Sequence, residues 1–210
     1  MGIERFEPIY VVTDSESSWP VRDQVRWAAE AGVGFVQFRD KSLSDREFYA
    51  LAKQLSADLK GTHTSFIIND RYRIAESIEN AGVHVGQGDA PIEVVRNLLG
   101  SRRLIGLSIE NETQLEALDQ SLVQYIGVGP IKVTATKSDH APPIGFKGLA
   151  AIVEKSDIPV FAIGGLGTAD IPELSSIGVS GIAVVSAVSR QPAPPVALNE
   201  LITTWKKYDS

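Results

Sequence analysis

Two aspartates, three cations, a pair of glycines and a hydroxyl-rich loop are the groups in this chain that could do chemistry together. Asp70 follows Asn69, and Asp89 closes the run Gly86-Gln87-Gly88-Asp89. Carboxylates are hard oxygen ligands, and a pair of them suits Mg²⁺ when water and phosphate oxygens fill the other positions. Each also stands near a helix start, Asp70 before Tyr72 and Asp89 two residues before Pro91, so helix capping is the alternative reading. Arg39, Lys41 and Lys137 carry more positive charge than one monophosphate needs. They would suit a diphosphate, whose charge Arg, Lys and a bridging Mg²⁺ neutralise together. A solvated ion-pair face is the alternative for Arg39-Asp40-Lys41. Gly164-Gly165, with the segment ending in Val185-Ser186, offers bare backbone N–H groups for an anion, or the glycines serve only a tight turn. The stretch from Gly129 to Lys137 holds a glycine, a proline, the hydroxyls of Thr134 and Thr136 flanking Ala135, and the Lys137 ammonium. His84 lies between Val83 and Val85 and reads as a packed or hydrogen-bonded structural side chain; His63 and His140 fall in loops with nothing to tie them to the rest.

Nearly all of these residues follow short apolar runs. Such runs, rich in β-branched residues, occur at 9–13, 34–38, 65–68, 83–85, 104–107, 124–128, 159–163 and 181–185. Helical stretches alternate with them, at 21–31, 44–59, 72–80, 91–99, 112–118, 147–155, 168–177 and 196–205. Ser44 with Glu47 three residues on is a capping box, Pro91 marks a first helical turn, and Thr168 is placed to cap. Apolar runs without polar alternation predict strands buried on both faces, hence a parallel sheet. Eight strand–helix units in strict alternation predict an α/β fold, a single (β/α)8 TIM barrel occupying 1–210 as one catalytic domain. An open doubly wound sheet is the runner-up. It would carry a Gly-rich loop after the first strand, where Thr13-Asp14-Ser15 stands.

In a barrel the active site forms at the C-terminal strand ends. Strand two then delivers Gln37, Arg39 and Lys41, strand three Asn69 and Asp70, strand four Gln87 and Asp89, and strand five Ser108. Strand six delivers Thr134, Thr136 and Lys137, strand seven Gly164 and Gly165, and strand eight Val185 and Ser186. Asp70 and Asp89 occupy equivalent positions on adjacent strands, so their carboxylates should converge. The loops after strands seven and eight are the pair that often binds phosphate in barrels.

Composition narrows the partners. The 210 residues are 43% hydrophobic with a formal net charge of −6 and no cysteine. The acidic balance argues against nucleic acid and against a polybasic membrane surface. Disulfides, cysteine zinc sites and a thiol nucleophile are excluded. Met1 to Tyr10 contains Glu4, Arg5 and Glu7 and no apolar core of a signal peptide, and Phe6 stands where myristoylation needs Ser or Thr. No run approaches the ~18 apolar residues of a membrane span. The expectation is a soluble cytoplasmic protein acting on small molecules, with homo-oligomerisation left open.

At these residues the chain resembles the thiamin phosphate synthase family. The likeness runs from Tyr10 to Ser189 through ordered motifs: Gln37-Phe38-Arg39-Asp40-Lys41, Ile68-Asn69-Asp70, Gly82 to Asp89, Gly129-Pro130-Ile131 with Thr134-Ala135-Thr136-Lys137, Ala162-Ile163-Gly164-Gly165, and Val184-Val185-Ser186-Ala187. The resemblance implies a (β/α)8 barrel that joins a hydroxymethylpyrimidine diphosphate to a hydroxyethylthiazole phosphate, or its carboxylate, releasing pyrophosphate. It implies that Gln37, Arg39, Lys41, Asn69, Ser108 and Lys137 bind the pyrimidine diphosphate, and that Asp70 and Asp89 hold Mg²⁺. It assigns the thiazole phosphate to Thr134, Thr136, Gly165, Val185 and Ser186, and places Phe38, Asp40 and Ala135 among the substrate contacts within their motifs. Arg39, Lys41, Lys137 and Ser108 would be the catalytic set, for a dissociative reaction in which pyrophosphate leaves before the thiazole nitrogen attacks. The chain departs from the family pattern at Glu110, where a His is frequent, and at Lys132 and Val133, where an aromatic and a proline are frequent; its loop from Ser138 to Gly145 is also longer. A thiazole tautomerase of the same superfamily is the nearest rival, and a non-catalytic phosphate-ligand barrel is a rival of another class. The tautomerase would need an acid–base group where Ser108-Ile109-Glu110 stands and would have no use for the aspartate pair.

Overall fold

The eight apolar runs are eight parallel strands in a computed structural model that describes residues 7–133 and 142–208. They are β1 (Ile9–Val12), β2 (Phe35–Phe38), β3 (Ser65–Asn69), β4 (Gly82–Val85), β5 (Ile105–Ile109), β6 (Tyr125–Val128), β7 (Val160–Ile163) and β8 (Gly181–Val184). Each pairs with the next, and β8 pairs with β1, so the sheet closes into a barrel. The open-sheet alternative is thereby ruled out.

Closure explains why the strands are apolar on both faces. Outward side chains such as Val11, Val36, Phe38, Ile68, Val83 and Ile126 pack under the helices. Inward ones, Tyr10, Val12, Phe35, Ile67, Tyr125, Phe161 and Ala183, fill the bore. The ring centroids of Tyr10, Phe35, Tyr125 and Phe161 lie 5.0 to 5.8 Å apart. Glycine makes room for them. A Cβ on Gly106 would stand 2.2 Å from the Tyr125 ring, and one on Gly181 2.5 Å from Phe161. Interiors pack at crystal density, so these aromatics could not coexist with larger neighbours.

The helices are α1 (Val21–Glu30), α2 (Asp45–Asp58), α3 (Tyr72–Glu76), α4 (Ile92–Leu99), α5 (Glu112–Glu116), α6 (Gly145–Lys155), α7 (Ile171–Ile177), α8 (Ser186–Ser189) and α9 (Pro194–Tyr208). The Ser44–Glu47 capping box is present at α2. Three differences from expectation have local causes. Helix α3 is short because the chain breaks at Ser77 and turns through left-handed Asn80, φ 59°, into β4. Thr168 opens a 3-10 turn to Asp170, and α7 starts only at Ile171. Helix α8 was not expected, since four residues carry no periodicity. Among the described residues no helix is long and apolar enough to cross a membrane.

A polar brace locks the β1–β8 seam. Buried Asp14 accepts hydrogen bonds from Arg190 Nε at 2.8 Å, Ser189 Oγ at 3.1 Å and the Glu16 amide at 3.0 Å, while Ser17 Oγ donates to Ser189 O at 2.6 Å. Burial alone would raise the Asp14 pKa, but Arg190 and these donors outweigh it and hold the carboxyl below the ordinary aspartate value. A depressed native pKa stabilises the fold above the unfolded value and is lost as pH falls. Asp14→Ala is therefore expected to cost about 1–3 kcal/mol in urea unfolding at pH 7, with a smaller penalty at pH 3. An equal penalty at both pH values would contradict this.

Candidate active site

The C-terminal strand ends surround a cleft of about 810 Å³. Strand periodicity decides which residues reach it. Gln37, Arg39 and Lys41 line the cleft. Phe38 points the other way and stacks on Phe48 with ring centroids 4.1 Å apart. Asp40 turns back on its own loop, where Oδ1 accepts from Ser42 N at 2.8 Å, Ser42 Oγ at 2.7 Å and Leu43 N at 3.2 Å. Phe38 and Asp40 thus shape the loop, and neither is among the residues that line the cleft. Arg71 holds that loop from the next strand end. Its Nη2 donates to Leu43 O at 2.6 Å, and its guanidinium lies 4.3 Å over the Phe48 ring.

The two acids meet on one side of the cleft. Asp70 adopts φ 56°, a left-handed conformation that aspartate tolerates better than most residues. Its amide donates to His84 O at 2.9 Å, fixing the turn at the end of β3. Neither aspartate caps a helix: the positions before α3 and α4 are Arg71 and Pro91, without side-chain caps. Asp89 Oδ2 instead accepts from Gly86 N at 2.7 Å and closes its own loop. Burial, then the Asp89 charge and a hydrogen bond with Asp89, raise the Asp70 pKa to about 6, while Asn69 and Lys41 pull it down. Two carboxylates that repel each other in a half-buried site fit a divalent cation. Among the described residues no group of three or more His, Asp or Glu could hold a metal by itself. Two protein carboxylates completed by phosphate oxygens and water are the coordination that Mg²⁺ commonly uses.

Opposite the acids, the loops after β6 and β7 are zipped together. Ile131 N donates to Ile163 O and Lys132 N to Gly164 O, both at 3.0 Å. Gly164 and Gly165 adopt φ 102° and 67°, and a Cβ on either would strike the Pro130–Val133 segment at 2.6 to 2.8 Å. Here the glycines do more than turn the chain; they let two backbones touch. Gly164, Gly165, Val185 and Ser186 all line the cleft, and α8 begins at Ser186. Loops after strands seven and eight with a short extra helix are the recurrent phosphate site of barrels. Lys132 forms an ion pair with Asp170 and lies 5.4 Å from the Phe146 ring.

The floor between the two sides is aromatic and hydrogen-bonded. Gln37 Nε2 donates to Tyr10 Oη at 2.7 Å, the Tyr10 and Tyr125 hydroxyls are 2.9 Å apart, and Tyr125 Oη is 3.2 Å from His84 Nδ1. His84 Nε2 lies 3.0 Å from Ser108 Oγ. Gln87 Nε2 donates to Ser108 O at 2.7 Å. Burial pushes both phenols well above the ordinary tyrosine value, so both stay protonated at working pH.

Comparison with known proteins then settles the kinship. The sequence model of the family described as thiamine monophosphate synthase matches residues 9–188. The chain belongs to the thiamine monophosphate synthase family. It is 39% identical over 196 residues to a thiamine-phosphate synthase of Vibrio parahaemolyticus, covering 93% of this chain and 96% of that protein. It is 35% identical over 208 residues to one from Archaeoglobus fulgidus, covering 99% and 98%. The solved thiamine phosphate pyrophosphorylase from Pyrococcus furiosus superposes with a TM-score of 0.86 at 33% identity, over 97% of each chain. A 3-hexulose-6-phosphate synthase from Salmonella typhimurium, TM-score 0.73 at 10% identity, shares the fold alone.

Within this family barrel the structure gathers Gln37, Arg39, Lys41, Asn69, Asp70, Asp89, Ser108, Gly165, Val185 and Ser186 around one cleft. Thr134, Ala135, Thr136 and Lys137 lie outside the described residues. Both ends of their loop are anchored at the rim, since Ile144 N donates to Pro130 O at 2.9 Å and Gly145 N to Ile131 O at 3.1 Å. Glu110 also lines the cleft. The floor residues Tyr10, Tyr125 and Phe161 escaped sequence reasoning because they sit inside apolar runs. The hydroxyls of Tyr10 and Tyr125, and the glycines Gly106 and Gly181 that make room for Tyr125 and Phe161, were the available signal.

Proposed function

We propose that this chain, as one catalytic domain, couples a 4-amino-5-hydroxymethylpyrimidine diphosphate to a hydroxyethylthiazole phosphate, forming thiamin phosphate and pyrophosphate. The observation that carries this reading is a single cleft with a cation-and-aspartate side at β2–β4 and a bare-backbone anion side at β7–β8. Those sides match a metal-bound diphosphate and a monophosphate. The acidic, cysteine-free chain supports a cytoplasmic setting without nucleic acid.

Arg39 and Lys41, joined by Lys137, grip the diphosphate and offset the charge that grows on its bridging oxygen. Asp70 and Asp89 would hold Mg²⁺, which supplies Lewis-acid neutralisation of the leaving pyrophosphate. The exocyclic carbon–oxygen bond breaks, its electron pair leaves with pyrophosphate, and the pyrimidine methyl carbon is left electron-poor. The thiazole nitrogen then donates its lone pair to that carbon and becomes the thiazolium nitrogen. Gly164, Gly165 and Ser186 hold the thiazole by its phosphate so that nitrogen and carbon face each other. The floor of Tyr10 and Phe161 keeps water from the electron-poor carbon. No protein nucleophile is needed, consistent with the cysteine-free sequence.

The test is direct. Purified protein given both substrates and Mg²⁺ is expected to release pyrophosphate and thiamin phosphate in equal amounts. Tight thiazole phosphate binding without thiamin phosphate would overturn the proposal in favour of a tautomerase or a binding protein.

A further inference from the structure

Ser108 is read above as a contact to the pyrimidine diphosphate, and the inference here rests on that reading. A serine hydroxyl both donates and accepts, so its direction must be set by its neighbours. Ser108 has a neighbour that can set it. The path Gln37–Tyr10–Tyr125–His84–Ser108 crosses the bore from β2 through β1, β6 and β4 to β5, with steps of 2.7, 2.9, 3.2 and 3.0 Å.

Counting protons gives the path a direction. Gln37 Nε2 donates to Tyr10 Oη. Each phenol has one proton. If Tyr125 donated to Tyr10, the Tyr10 proton would be stranded among aromatic carbons, at the cost of an unmade buried hydrogen bond. With the Gln37 amide so oriented, Tyr10 donates to Tyr125, and Tyr125 donates to His84 Nδ1. In the neutral ring the imidazole proton is then on Nε2, and it is given to Ser108 Oγ. With that lone pair engaged, the Ser108 proton is turned into the cleft.

The strands beneath are cut to seat this ring. A Cβ on Gly106 would stand 2.5 Å from His84 Nδ1, and one on Gly127 3.0 Å from Cε1 and 3.4 Å from Nε2. Two consecutive strands thus carry glycine where any other residue would crowd the imidazole. The ring also stacks on Tyr125, with centroids 5.6 Å apart and planes at 29°. A histidine serving only as filler would need neither two glycines beneath it nor a partner at each nitrogen.

We propose that His84 is a positioning residue: held as the Nε2–H tautomer by Gln37, Tyr10 and Tyr125, it fixes Ser108 as a hydrogen-bond donor to the pyrimidine diphosphate. The same direction leaves the Gln37 carbonyl oxygen as an acceptor on the far side of the bore. An acceptor and a donor facing each other suit an aminopyrimidine, which carries an amine donor and ring-nitrogen acceptors. The relay thus serves pyrimidine selection and has no role toward the thiazole.

Two measurements test this. The imidazole ¹⁵N spectrum of the ligand-free wild type, with the His84 signals assigned by their loss in His84→Gln, is expected to show the proton on Nε2. A proton on Nδ1 overturns the proposal whatever the protein turns over. In kinetics, His84→Phe and Ser108→Ala are each expected to lower kcat roughly tenfold or more and leave the KM for thiazole phosphate unchanged. The double variant should be no slower than the slower single, because His84 acts through Ser108. His84→Gln, whose amide can still donate to Ser108, should recover most of the loss. Multiplicative losses in the double variant, or equal damage from Gln and Phe, would overturn the positioning role. A wild type that makes no thiamin phosphate would sink the functional reading instead, and the spectrum would still decide the relay.

Discussion

Asp70→Asn is expected to yield a protein that is more stable than the wild type and all but inactive. Asp70 is pushed to about 6, first by burial and then by Asp89. The native state thus holds this proton more tightly than the unfolded chain. Stability from the group is fully present below the unfolded value of 3.8 and is lost as pH rises through about 6. At pH 8 the ligand-free protein therefore carries two repelling carboxylates. An amide removes the repulsion, and Asn accepts the left-handed φ of 56°. The gain should be on the order of 1 kcal/mol after allowance for solvent in the cleft, or a rise in Tm of about 2–4 °C. The gain should vanish at pH 4. Turnover should fall by roughly a thousandfold, since the variant loses one of the two proposed metal ligands. Mg²⁺ with pyrophosphate should raise the wild-type Tm and leave that of the variant nearly unmoved. A variant no more stable at pH 8, or one retaining turnover, would refute the assignment of Asp70.

Gly165→Ala should damage one substrate and spare the other. Its φ of 67° disfavours any side chain, and the new Cβ would stand 2.7 Å from Val133 O and 2.8 Å from Lys132 Cβ. Backbone cannot yield as a flexible side chain can, so the seam between the loops after β6 and β7 must open. The KM for thiazole phosphate is expected to rise at least tenfold, with little change in the KM for the pyrimidine diphosphate, and stability should fall by about 1–2 kcal/mol. Gly167→Ala is the matched control, because its Cβ would meet nothing within 4 Å and its φ is −157°. Steady-state kinetics with each substrate varied in turn reads the difference. Equal shifts in both KM values would contradict a phosphate site at Gly165.

The barrel was legible in the sequence because a parallel barrel buries both faces of every strand, leaving eight predominantly apolar runs. Most polar cleft residues were legible for the same reason, since polarity clusters where the runs end; Gln37 and His84, inside their runs, are the exceptions. Which strand residues face the bore was harder to read. Tyr10 and Tyr125 look like ordinary strand residues until barrel closure brings their hydroxyls within hydrogen-bond reach of Gln37 and His84. Phe38 and Asp40 were carried into the site with their motif, yet of 37–41, spanning the end of β2 and the loop after it, only Gln37, Arg39 and Lys41 line the cleft. The helix-cap alternative for Asp70 and Asp89 could be dismissed only from geometry, because a capping and a metal-binding aspartate occupy the same place in a strand–loop–helix sequence. Helix α8 had too few residues to show a period.

The central claim is that the cleft sorts two phosphorylated ligands to opposite sides. A crystal structure of the wild-type protein with Mg²⁺, pyrophosphate and thiazole phosphate tests it most directly. Pyrophosphate and the metal are expected between Asp70, Asp89, Arg39 and Lys41, and the thiazole phosphate on the backbone of Gly164 and Gly165 beside Ser186. The thiazole phosphate bound instead at Arg39 and Lys41, or the metal bound away from both aspartates, would contradict it.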